Sequence, residues 1–335
     1  MTVPRTAGRR TESAFVAPRT NPDHDISVVV ITHNRRREAA HALEHLVTLP
    51  ERPEVIVVDN GSTDGTSGAL REAFPDVRVI ALESNCGAVA RTTGVEHAAT
   101  RFIAFSDDDS WWQPGALERA SATLRAFPRL GLVAARILVG SEQRVDPTCV
   151  AMQQSPLDVD EDLPGPAVLG FLACGAVVRR DAYLECGGFS RILGFGGEEE
   201  LLALELVRRG WFLSYVSDVV AHHHPSPRRD ARARRRRLTR NALWVAWLRR
   251  PWSYGIRAAF RMAHLSLSDM SRLLGLVEAV AGFPSVIRER AVVPAHVEGW
   301  LRELEAQPAH QSSRRSFMPR VVDAHRPARR AHRPR

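Results

Sequence analysis

The chain has 335 residues, and its 44% hydrophobic and 25% charged residues are typical of a globular protein. Its formal net charge of +8 comes from the two ends. Residues 311–335 hold eight arginines against Asp323 and residues 1–22 hold four against Glu12, which leaves −2 for residues 23–310. The basic balance therefore indicates charged tails, and we expect no nucleic-acid partner. No lysine occurs, which excludes P-loop and Schiff-base lysine chemistry.

The cysteines and the start of the chain predict a reducing, cytoplasmic location. Cys86, Cys149, Cys174 and Cys186 form no CxxC pair and show no zinc-like spacing with histidine. The first residues lack the basic start and apolar run of a signal peptide. No apolar run approaches the ~20 residues of a transmembrane helix.

From residue 26 onward, β-branched runs alternate with helical patterns. We predict strands at residues 26–32, 55–58, 77–82 and 102–105, each followed by a helix. This alternation favours an α/β fold with a doubly wound, mostly parallel sheet and helices on both faces. Ligands bind such sheets at the carboxyl ends of the strands, which here carry Thr32, Asp59, Glu83 with Ser84, and Asp107 to Asp109.

The second half of the chain gives less regular signals. We predict a helix at 114–126, an irregular insertion at 140–166, a strand at 168–178, a glycine-rich mobile loop at 186–197, a helix at 198–209 and a last strand at 211–216. The domain organisation follows from these elements: a disordered arm at 1–24, a catalytic domain at 25–226, a helical C-terminal region at 227–305 and a basic disordered tail at 306–335.

Three consecutive carboxylates, Asp107, Asp108 and Asp109, end an apolar run. Adjacent anions repel one another, so a fold that gathers them at a strand end commonly meets them with a cation or with sugar hydroxyls. A solvated turn, or a cap for a helix starting at Pro114, is the alternative interpretation.

Two further loops have the chemistry of nucleotide recognition. Asp59 follows a strand, and a carboxylate can accept the imide N–H of uracil or thymine, although a plain turn is the alternative. Asn85, Gly87 and Arg91 open a predicted helix, whose N-terminus and guanidinium favour phosphate oxygens; surface ion pairing is the alternative.

Glutamates and histidines near the end of the catalytic region are candidates for catalysis and metal binding. Glu198, Glu199 and Glu200 lie in the first turn of a helix, where they either cap it or supply a general base. Among His222, His223 and His224, strand alternation places only His222 and His224 on one face, and one of them could complete a metal shell with an aspartate.

A basic run at 228–240 precedes Trp244, Trp247 and Trp252. Two interpretations remain open: a solvated helix that packs on the body of the protein, and peripheral contact with the inner face of a membrane.

These motifs together resemble the family 2 glycosyltransferases, inverting enzymes of the GT-A fold that use nucleotide-sugar donors. The matching segments occur in family order within residues 26–226, at 29–35, 57–66, 85–91, 105–109, 187–189 and 197–199. The resemblance implies a GT-A type α/β fold, here with a C-terminal helical extension. It also implies a nucleotide site formed by Thr32, Asn34, Arg35, Asp59, Asn85, Gly87, Arg91, Asp107 and Asp108.

The resemblance further implies a DxD pair, Asp107 and Asp109, that binds Mg²⁺ or Mn²⁺, with His222 or His224 as an additional ligand. Glu199 aligns with the family's catalytic aspartate and is one methylene longer, so Glu198 and Glu200 stay in contention as the base. The implied reaction transfers a sugar from a UDP- or dTDP-sugar to an unknown acceptor hydroxyl, in a cell-surface polysaccharide, glycolipid or secondary metabolite.

Two other function classes stay open at this point. A sugar nucleotidyltransferase also uses acidic metal ligands, but those enzymes normally carry a lysine-bearing N-terminal loop, and this chain has no lysine. A non-catalytic protein of the membrane surface with a degenerate nucleotide site is the third reading, and it would bind neither UDP nor dTDP.

Overall fold

The computed structural model describes residues 25–225 and 231–306. The predicted arm at 1–24, the tail from 307 onward and the first arginines of the basic run lie outside these residues. The described residues form nine strands: β1 (Ile26–Thr32), β2 (Glu54–Asp59), β3 (Arg78–Ala81), β4 (Phe102–Asp107), β5 (Ser110–Trp112), β6 (Leu130–Val139), β7 (Arg144–Val145), β8 (Ala176–Arg179) and β9 (Phe212–His223).

The helices of the described ranges alternate with the early strands and then follow one another towards the C-terminus. They are α1 (Arg36–Val47), α2 (Thr66–Ala73), α3 (Ala90–His97), α4 (Ala116–Ala126), α5 (Pro147–Gln153), α6 (Arg180–Glu185), α7 (Glu198–Arg208), α8 (Ala231–Arg249), α9 (Trp252–Ser266), α10 (Met270–Ala281), α11 (Phe283–Arg288) and α12 (Ala295–Ala306). Short 3₁₀ turns at Gly87–Val89 and Ala173–Gly175 complete the elements.

One sheet contains all of these strands, in the order β3-β2-β1-β4-β8-β6-β9-β5, with β7 paired to β6. The four N-terminal strands β3, β2, β1 and β4 are parallel, as their alternation with helices predicted. Every residue of β1 is buried, because helices cover both faces of a parallel sheet and the strand is almost wholly β-branched. The predicted α/β fold with a C-terminal helical extension is confirmed.

The sheet is more mixed than the predicted mostly parallel arrangement. Strand β8 runs antiparallel to both β4 and β6, and β5 runs antiparallel to β9. The short hydrogen-bonded segment β5 follows β4 after a tight turn, so it cannot continue the parallel crossover pattern. These antiparallel strands curl the sheet around the end of β4.

Three sequence expectations about local structure are corrected. The strand expected at 168–178 is limited to β8, because the segment before it forms a 3₁₀ turn and a Cβ at Gly175 would lie 2.6 Å from Ile137. The last strand extends beyond residue 216 to His223, with an irregularity in its pairing to β6. The insertion expected to be irregular contains β7 and α5, and Asp146 caps α5 by accepting a hydrogen bond from the Thr148 amide.

The C-terminal helices pack on the sheet-containing part of the chain through α8. Its second half is buried, including Leu243, Trp244 and Trp247. A buried ion pair fastens α12 to this bundle, since Arg250 Nε donates to Glu298 Oε2 at 2.5 Å. Within the described ranges, no helix has the length and apolarity needed to span a bilayer.

Candidate active site

The parallel strands bring three sequence-predicted residues to one edge of the sheet. Thr32 pairs in register with Asp59, and its neighbour Ile31 pairs with Asp107, so β1, β2 and β4 end at the same level. Thr32 and Asp59 are buried. The carboxyl ends of these three strands therefore place a hydroxyl group and two carboxylates side by side.

The loops after β1 and β2 are joined around Asp59 and Asn34. Asp59 Oδ1 accepts a hydrogen bond from the Ser62 amide at 3.0 Å. Asn34 Oδ1 accepts from the Thr63 amide at 2.8 Å, and the Asn34 amide donates to Ser62 Oγ at 2.8 Å. Asn34 has a left-handed backbone with φ of 54°, which asparagine tolerates better than most residues. The structure thus brings Asn34 and Asp59 together around the Ser62–Thr63 turn, and their role in binding a nucleoside stays a prediction.

Asn60 organises this wall, and the sequence reasoning did not assign it a role. Its fully buried amide donates from Nδ2 to Asn85 Oδ1 and to the Gly87 carbonyl, both at 3.1 Å, while Oδ1 accepts from the Cys86 amide at 2.9 Å. The sequence feature that could have identified Asn60 is its position directly after a buried strand and before a glycine. Asn85 is therefore tied into the loop rather than directed only at a ligand.

Gly87 has a different role from the expected helix-opening phosphate contact. Its φ is +75°, and a Cβ there would lie 2.9 Å from Gly194 Cα. The Ala88 amide donates to the Gly194 carbonyl at 3.2 Å. Gly87 lets the nucleotide-side loop approach the glycine-rich loop at 186–197, and these two segments form adjacent walls of the site.

Arg35 joins two of the three acids at the end of β4. Its Nη1 lies 2.5 Å from Asp108 Oδ1, and its Nη2 lies 3.0 Å from Asp109 Oδ2. Thr32 Oγ1 also donates to Asp108, at 3.1 Å. Asp108 and Asp109 are therefore held by specific contacts, and the simple solvated turn is not what the structure shows.

The acids differ sharply in their electrostatics. Burial, opposed by Arg35 and reinforced by the charges of Asp109 and Asp107, raises the pKa of Asp108 to about 7. Burial also acts to raise the pKa of Asp109, but hydrogen bonding and charge from His223, together with Arg35, lower it to about 2. Asp109 is thus ionised at neutral pH, whereas Asp108 titrates close to neutrality.

The histidine that approaches the acids is His223. Its Nε2 lies 3.3 Å from Asp109 Oδ1. His222 and His224 do share a face, as alternation required, but their rings lie 5.8 and 4.7 Å from the ring of Trp111. The His224 amide donates to the Asp109 carbonyl at 2.8 Å, but the rings of His222 and His224 lie against Trp111, because β9 pairs with β5 so that His222 stands opposite Trp111.

The donor chemistry at this edge fits a divalent cation. Asp107 and Asp109 supply carboxylate oxygens, and His223 supplies an imidazole nitrogen beside Asp109. Mg²⁺ prefers oxygen ligands, and Mn²⁺ accepts both oxygen and imidazole. Residues 25–225 and 231–306 hold no preassembled cluster of three or more such ligands, and Arg35 balances the charge of Asp109.

Arg91 faces the other side of the acidic edge. The buried guanidinium pairs through Nη2 with Asp107 Oδ1, while Nε and Nη1 have no hydrogen-bond partner among the described residues. Burial opposes its charge, but Asp107, Glu198 and Glu199 raise the pKa of Arg91. Two unused donors on a permanently charged group beside the acids are suited to an anionic ligand.

The N-terminus of α7 completes the site with two glutamates of different exposure. Glu198 is only 4% exposed, and burial together with the charge of Glu199 raises its pKa to about 8. Glu199 is half-buried, and its Oε1 accepts from the Ala173 amide at 3.5 Å. Burial, opposed by Arg91, also raises the pKa of Glu199. Glu200 is half-buried on the same turn.

Helix α8 holds the loop that precedes these glutamates. Asn241 Nδ2 donates to the carbonyls of Leu193 at 2.9 Å and Gly196 at 2.5 Å. Arg240 Nη2 donates to the Leu193 carbonyl at 3.0 Å. Asn241 is fully buried. The sequence reasoning left open whether this helix packs on the body or contacts a membrane, and it did not anticipate the contact with the glycine-rich loop.

Sequence comparison identifies the class of the chain. The profile of Glycosyl transferase family 2 matches residues 27–187, which contain the strands and loops just described up to the start of the glycine-rich loop. The chain belongs to glycosyltransferase family 2. It is therefore an enzyme of the glycosyltransferase class, and the nucleotidyltransferase and non-catalytic interpretations are set aside.

Curated relatives of this family 2 glycosyltransferase act in glycosyl transfer. An N-acetylglucosaminyl-diphospho-decaprenol L-rhamnosyltransferase of Mycobacterium tuberculosis is 25% identical over 237 residues, covering 59% of this chain and 76% of the relative. A pre-mycofactocin glycosyltransferase of the same organism is 32% identical over 232 residues, covering 66% of this chain. The chain spans about half of that second relative, 48% of its length.

Solved structures share the fold of the family 2 glycosyltransferase. TarS from S. aureus in complex with UDP-GlcNAc has a TM-score of 0.57 at 16% identity, covering 88% of each chain. The mannosyltransferase PcManGT from Pyrobaculum calidifontis, in complex with GDP-Man and Mn²⁺, has a TM-score of 0.54 at 20% identity, covering 88% of this chain and 84% of that one. The GT-A architecture predicted from the motifs is thereby confirmed.

Proposed function

We propose that the protein is an inverting glycosyltransferase that moves a sugar from a UDP- or dTDP-sugar to an acceptor hydroxyl. The observation that carries the proposal is the convergence of Asp59, Arg91, Asp107, Asp109 and Glu199 on one edge of the sheet. This edge provides a base-binding carboxylate, a phosphate-binding cation, a metal-binding acid and a general base. Complexes of related structures with UDP-GlcNAc and GDP-Man support a nucleotide-sugar donor.

The nucleoside is assigned to the wall formed by Thr32, Asn34 and Asp59. One oxygen of Asp59 holds the Ser62 amide, and no described residue donates a hydrogen bond to the other. That second oxygen can accept the imide N–H of uracil or thymine. Guanine and adenine present different hydrogen-bonding groups and would not make the same contact. The expected substrates are therefore pyrimidine nucleotide sugars.

Asp107, Asp109 and His223 would hold Mg²⁺ or Mn²⁺, which supplies Lewis-acid stabilisation of the departing diphosphate. The chain contributes a fixed cation of its own, because Arg91 directs unused Nε and Nη1 donors from a buried position. A preorganised donor in a water-poor site stabilises developing charge more strongly than one in water. Arg91 thus serves the same diphosphate from the opposite side of Asp107.

Glu199 is assigned as the general base. It removes the proton of the acceptor hydroxyl, the oxygen forms a bond to the anomeric carbon, and the bond to the diphosphate oxygen breaks with its electron pair. A single displacement of this kind inverts the anomeric configuration. Glu199 is favoured over Glu198, because Glu198 is only 4% exposed whereas Glu199 is half-buried, and the raised pKa of Glu199 makes it a stronger base.

The acceptor is assigned to the side of the 186–197 loop and the C-terminal helices. The rhamnosyltransferase relative is named for an acceptor carried on diphospho-decaprenol, which supports a glycolipid acceptor over a polysaccharide or secondary metabolite. Such an acceptor lies in a membrane, so we infer that the enzyme works in the cytoplasm in peripheral contact with the membrane's inner face.

Calorimetric titration with UDP, dTDP and GDP in the presence of Mn²⁺ tests the donor assignment. We expect UDP or dTDP to bind and GDP to bind at least tenfold more weakly. Asp59→Ala should weaken the binding free energy of UDP or dTDP by about 1–3 kcal/mol, so that most of the difference from GDP disappears. Asp76→Ala is the matched control, because Asp76 is exposed between α2 and β3. Equal affinity for GDP and UDP in the wild-type protein would contradict the assignment.

A further inference from the structure

Two of the three tryptophans that the sequence offered for membrane contact face the interior instead, in agreement with the alternative of a helix packed on the body of the protein. Trp244 and Trp247 are buried, and Trp244 Nε1 donates to the Ala279 carbonyl at 3.0 Å. A Cβ at Gly282 would lie 2.3 Å from the Trp244 ring, so α10 and α11 pack closely on α8. The predicted membrane contact through these tryptophans therefore needs another surface.

Helices α9 and α10 present an apolar face to solvent. On α9, Trp252, Ile256 and Phe260 recur every four residues, and Phe260 is 74% exposed. Leu267, between the helices, is 83% exposed. The stripe on α10 consists of Met270, Leu273, Leu274, Val277 and Val280, all exposed. We call these nine side chains the α9–α10 face.

The face is not a consequence of loose packing. The opposite side of α10 is tightly packed on α8, since a Cβ at Gly275 would lie 2.3 Å from the Arg236 carbonyl oxygen, and Ala279 is buried. Met262 and Ser266 on α9 are also buried. Both helices are thus anchored by one side while they expose large aliphatic and aromatic side chains on the other. A contiguous exposed surface of this kind marks an interaction site.

The charges beside the face are positive. Helix α9 contains no acidic residue, and Arg257 and Arg261 are exposed next to Ile256 and Phe260 without an ion pair to any described residue. The acids of this segment are neutralised: Asp269 pairs with Arg235 at 2.7 Å, and Glu278 pairs with Arg236. Apolar side chains bordered by unpaired arginines therefore complement a surface that has an anionic outer layer and an apolar interior.

We propose that the α9–α10 face docks on an anionic lipid bilayer. Its aliphatic and aromatic side chains enter the boundary between headgroups and acyl chains, and Arg257 and Arg261 contact lipid phosphates. A second copy fits less well, because a symmetric contact would bring the same arginines together without a described acid to pair them. The tail also fails to complement the face, since residues 311–335 carry +7.

Docking through this face would set the orientation of the active site. Helix α8 lies between the face and the glycine-rich loop, since it packs on α10 and holds the loop through Asn241. This inference deepens the proposed membrane contact and rests on it for its biological meaning. Binding to a lipid bilayer can be measured without enzymatic turnover.

Co-sedimentation of the full chain with vesicles tests the proposal. We expect binding to phosphatidylcholine vesicles that contain phosphatidylglycerol, and much weaker binding to phosphatidylcholine alone. Phe260→Glu combined with Leu267→Glu should weaken binding to the anionic vesicles by about tenfold or more. The variant loses two apolar side chains that would enter the bilayer and gains two negative charges. Arg257→Gln with Arg261→Gln should reduce the preference for anionic lipid.

Val150→Glu is the matched control, because Val150 is 44% exposed on α5 in the catalytic domain. We expect this variant to bind vesicles as the wild type does. The basic tail is present in every variant, so undiminished vesicle binding by the Phe260/Leu267 variant would overturn the proposal. So would a wild-type dimer in sedimentation velocity that this variant converts to a monomer while vesicle binding persists.

Nucleotide titration of the same proteins separates this proposal from the proposed function. The Phe260/Leu267 variant should bind UDP or dTDP as the wild type does and should show an unchanged thermal midpoint, because both side chains are exposed. If the wild type binds vesicles through this face and no nucleotide, the docking stands and the proposed donor site fails. A variant that loses its fold would lose nucleotide binding too, and Phe260→Ser alone then serves as the milder substitution.

Discussion

At the scale of single residues, the site depends on groups whose role only the tertiary structure shows. Asp59, Arg91 and Asp109 could be chosen from the sequence, because acids and arginines at strand ends carry recognisable chemistry. Asn60 could not be given its role, because its three hydrogen bonds join segments about 25 residues apart that only the β2–β3 register brings together. His223 was missed for a related reason: alternation predicts which histidines share a face, whereas the pairing of β9 with β5 decides where that face points.

Gly61 should be far less tolerant of substitution than Gly65. Both have left-handed backbones, with φ of +76° and +80°. A Cβ at Gly61 would lie 2.6 Å from the Ser84 carbonyl carbon, whereas nothing lies within 4 Å at Gly65. We expect Gly65→Ala to cost about 1–2 kcal/mol, the left-handed penalty alone, and Gly61→Ala to cost clearly more. Urea unfolding of both variants measures the difference, and equal costs would refute the close contact at Ser84.

Asp108 should make the stability of the protein depend on pH. Its pKa of about 7 lies above the ordinary 3.8, so the folded state retains a proton that the unfolded chain releases. The contribution of Asp108 therefore becomes less favourable as pH rises from about 4 towards 7 and is then constant. Asp108→Asn should flatten this decline in the free energy of unfolding. An identical pH dependence in the variant would show that Asp108 is ionised throughout the range.

At the scale of elements, the strands and helices of the first hundred residues followed from their pattern. Buried parallel strands are continuous apolar runs, and those at β1, β2 and β4 end in polar residues that the sequence displays directly. The segment before β8 was misjudged because its apolar composition resembles a strand, while Gly170 and Gly175 allow a turn. Helix α8 was recognised, but its function in holding the glycine-rich loop rests on the side chains of Asn241 and Arg240, whose partners only the tertiary structure shows.

Asn241→Ala should loosen the glycine-rich loop without unfolding the protein. Nδ2 of Asn241 donates to the Leu193, Phe195 and Gly196 carbonyls, and the last of these lies two residues before Glu198. We expect reduced transfer, by about tenfold, with donor binding retained, because a displaced base costs rate more than affinity. Arg237→Ala is the control, since Arg237 is exposed on the same helix. Equal turnover in both variants would remove α8 from the mechanism.

At the scale of the whole molecule, helix α8 connects the proposed docking face, through α10, with the glycine-rich loop beside the proposed donor site. The fold class and the family could be predicted because the six matching segments occur in order along one chain. The outer surface of the extension could not, because the hydropathy of α9 and α10 fits a buried helix as well as an exposed one, and only the packing of α8 decides which tryptophans face inward.

The most direct test of the account is the turnover of Glu199→Gln beside its binding of donor nucleotide. Glutamine keeps the size of the side chain and removes its basicity, so we expect sugar transfer to fall by about 10²–10⁴-fold while UDP or dTDP affinity stays within about twofold of the wild type. Glu200→Gln on the same turn is the control and should retain most of the activity. Wild-type transfer rates in Glu199→Gln would contradict the assignment of the base.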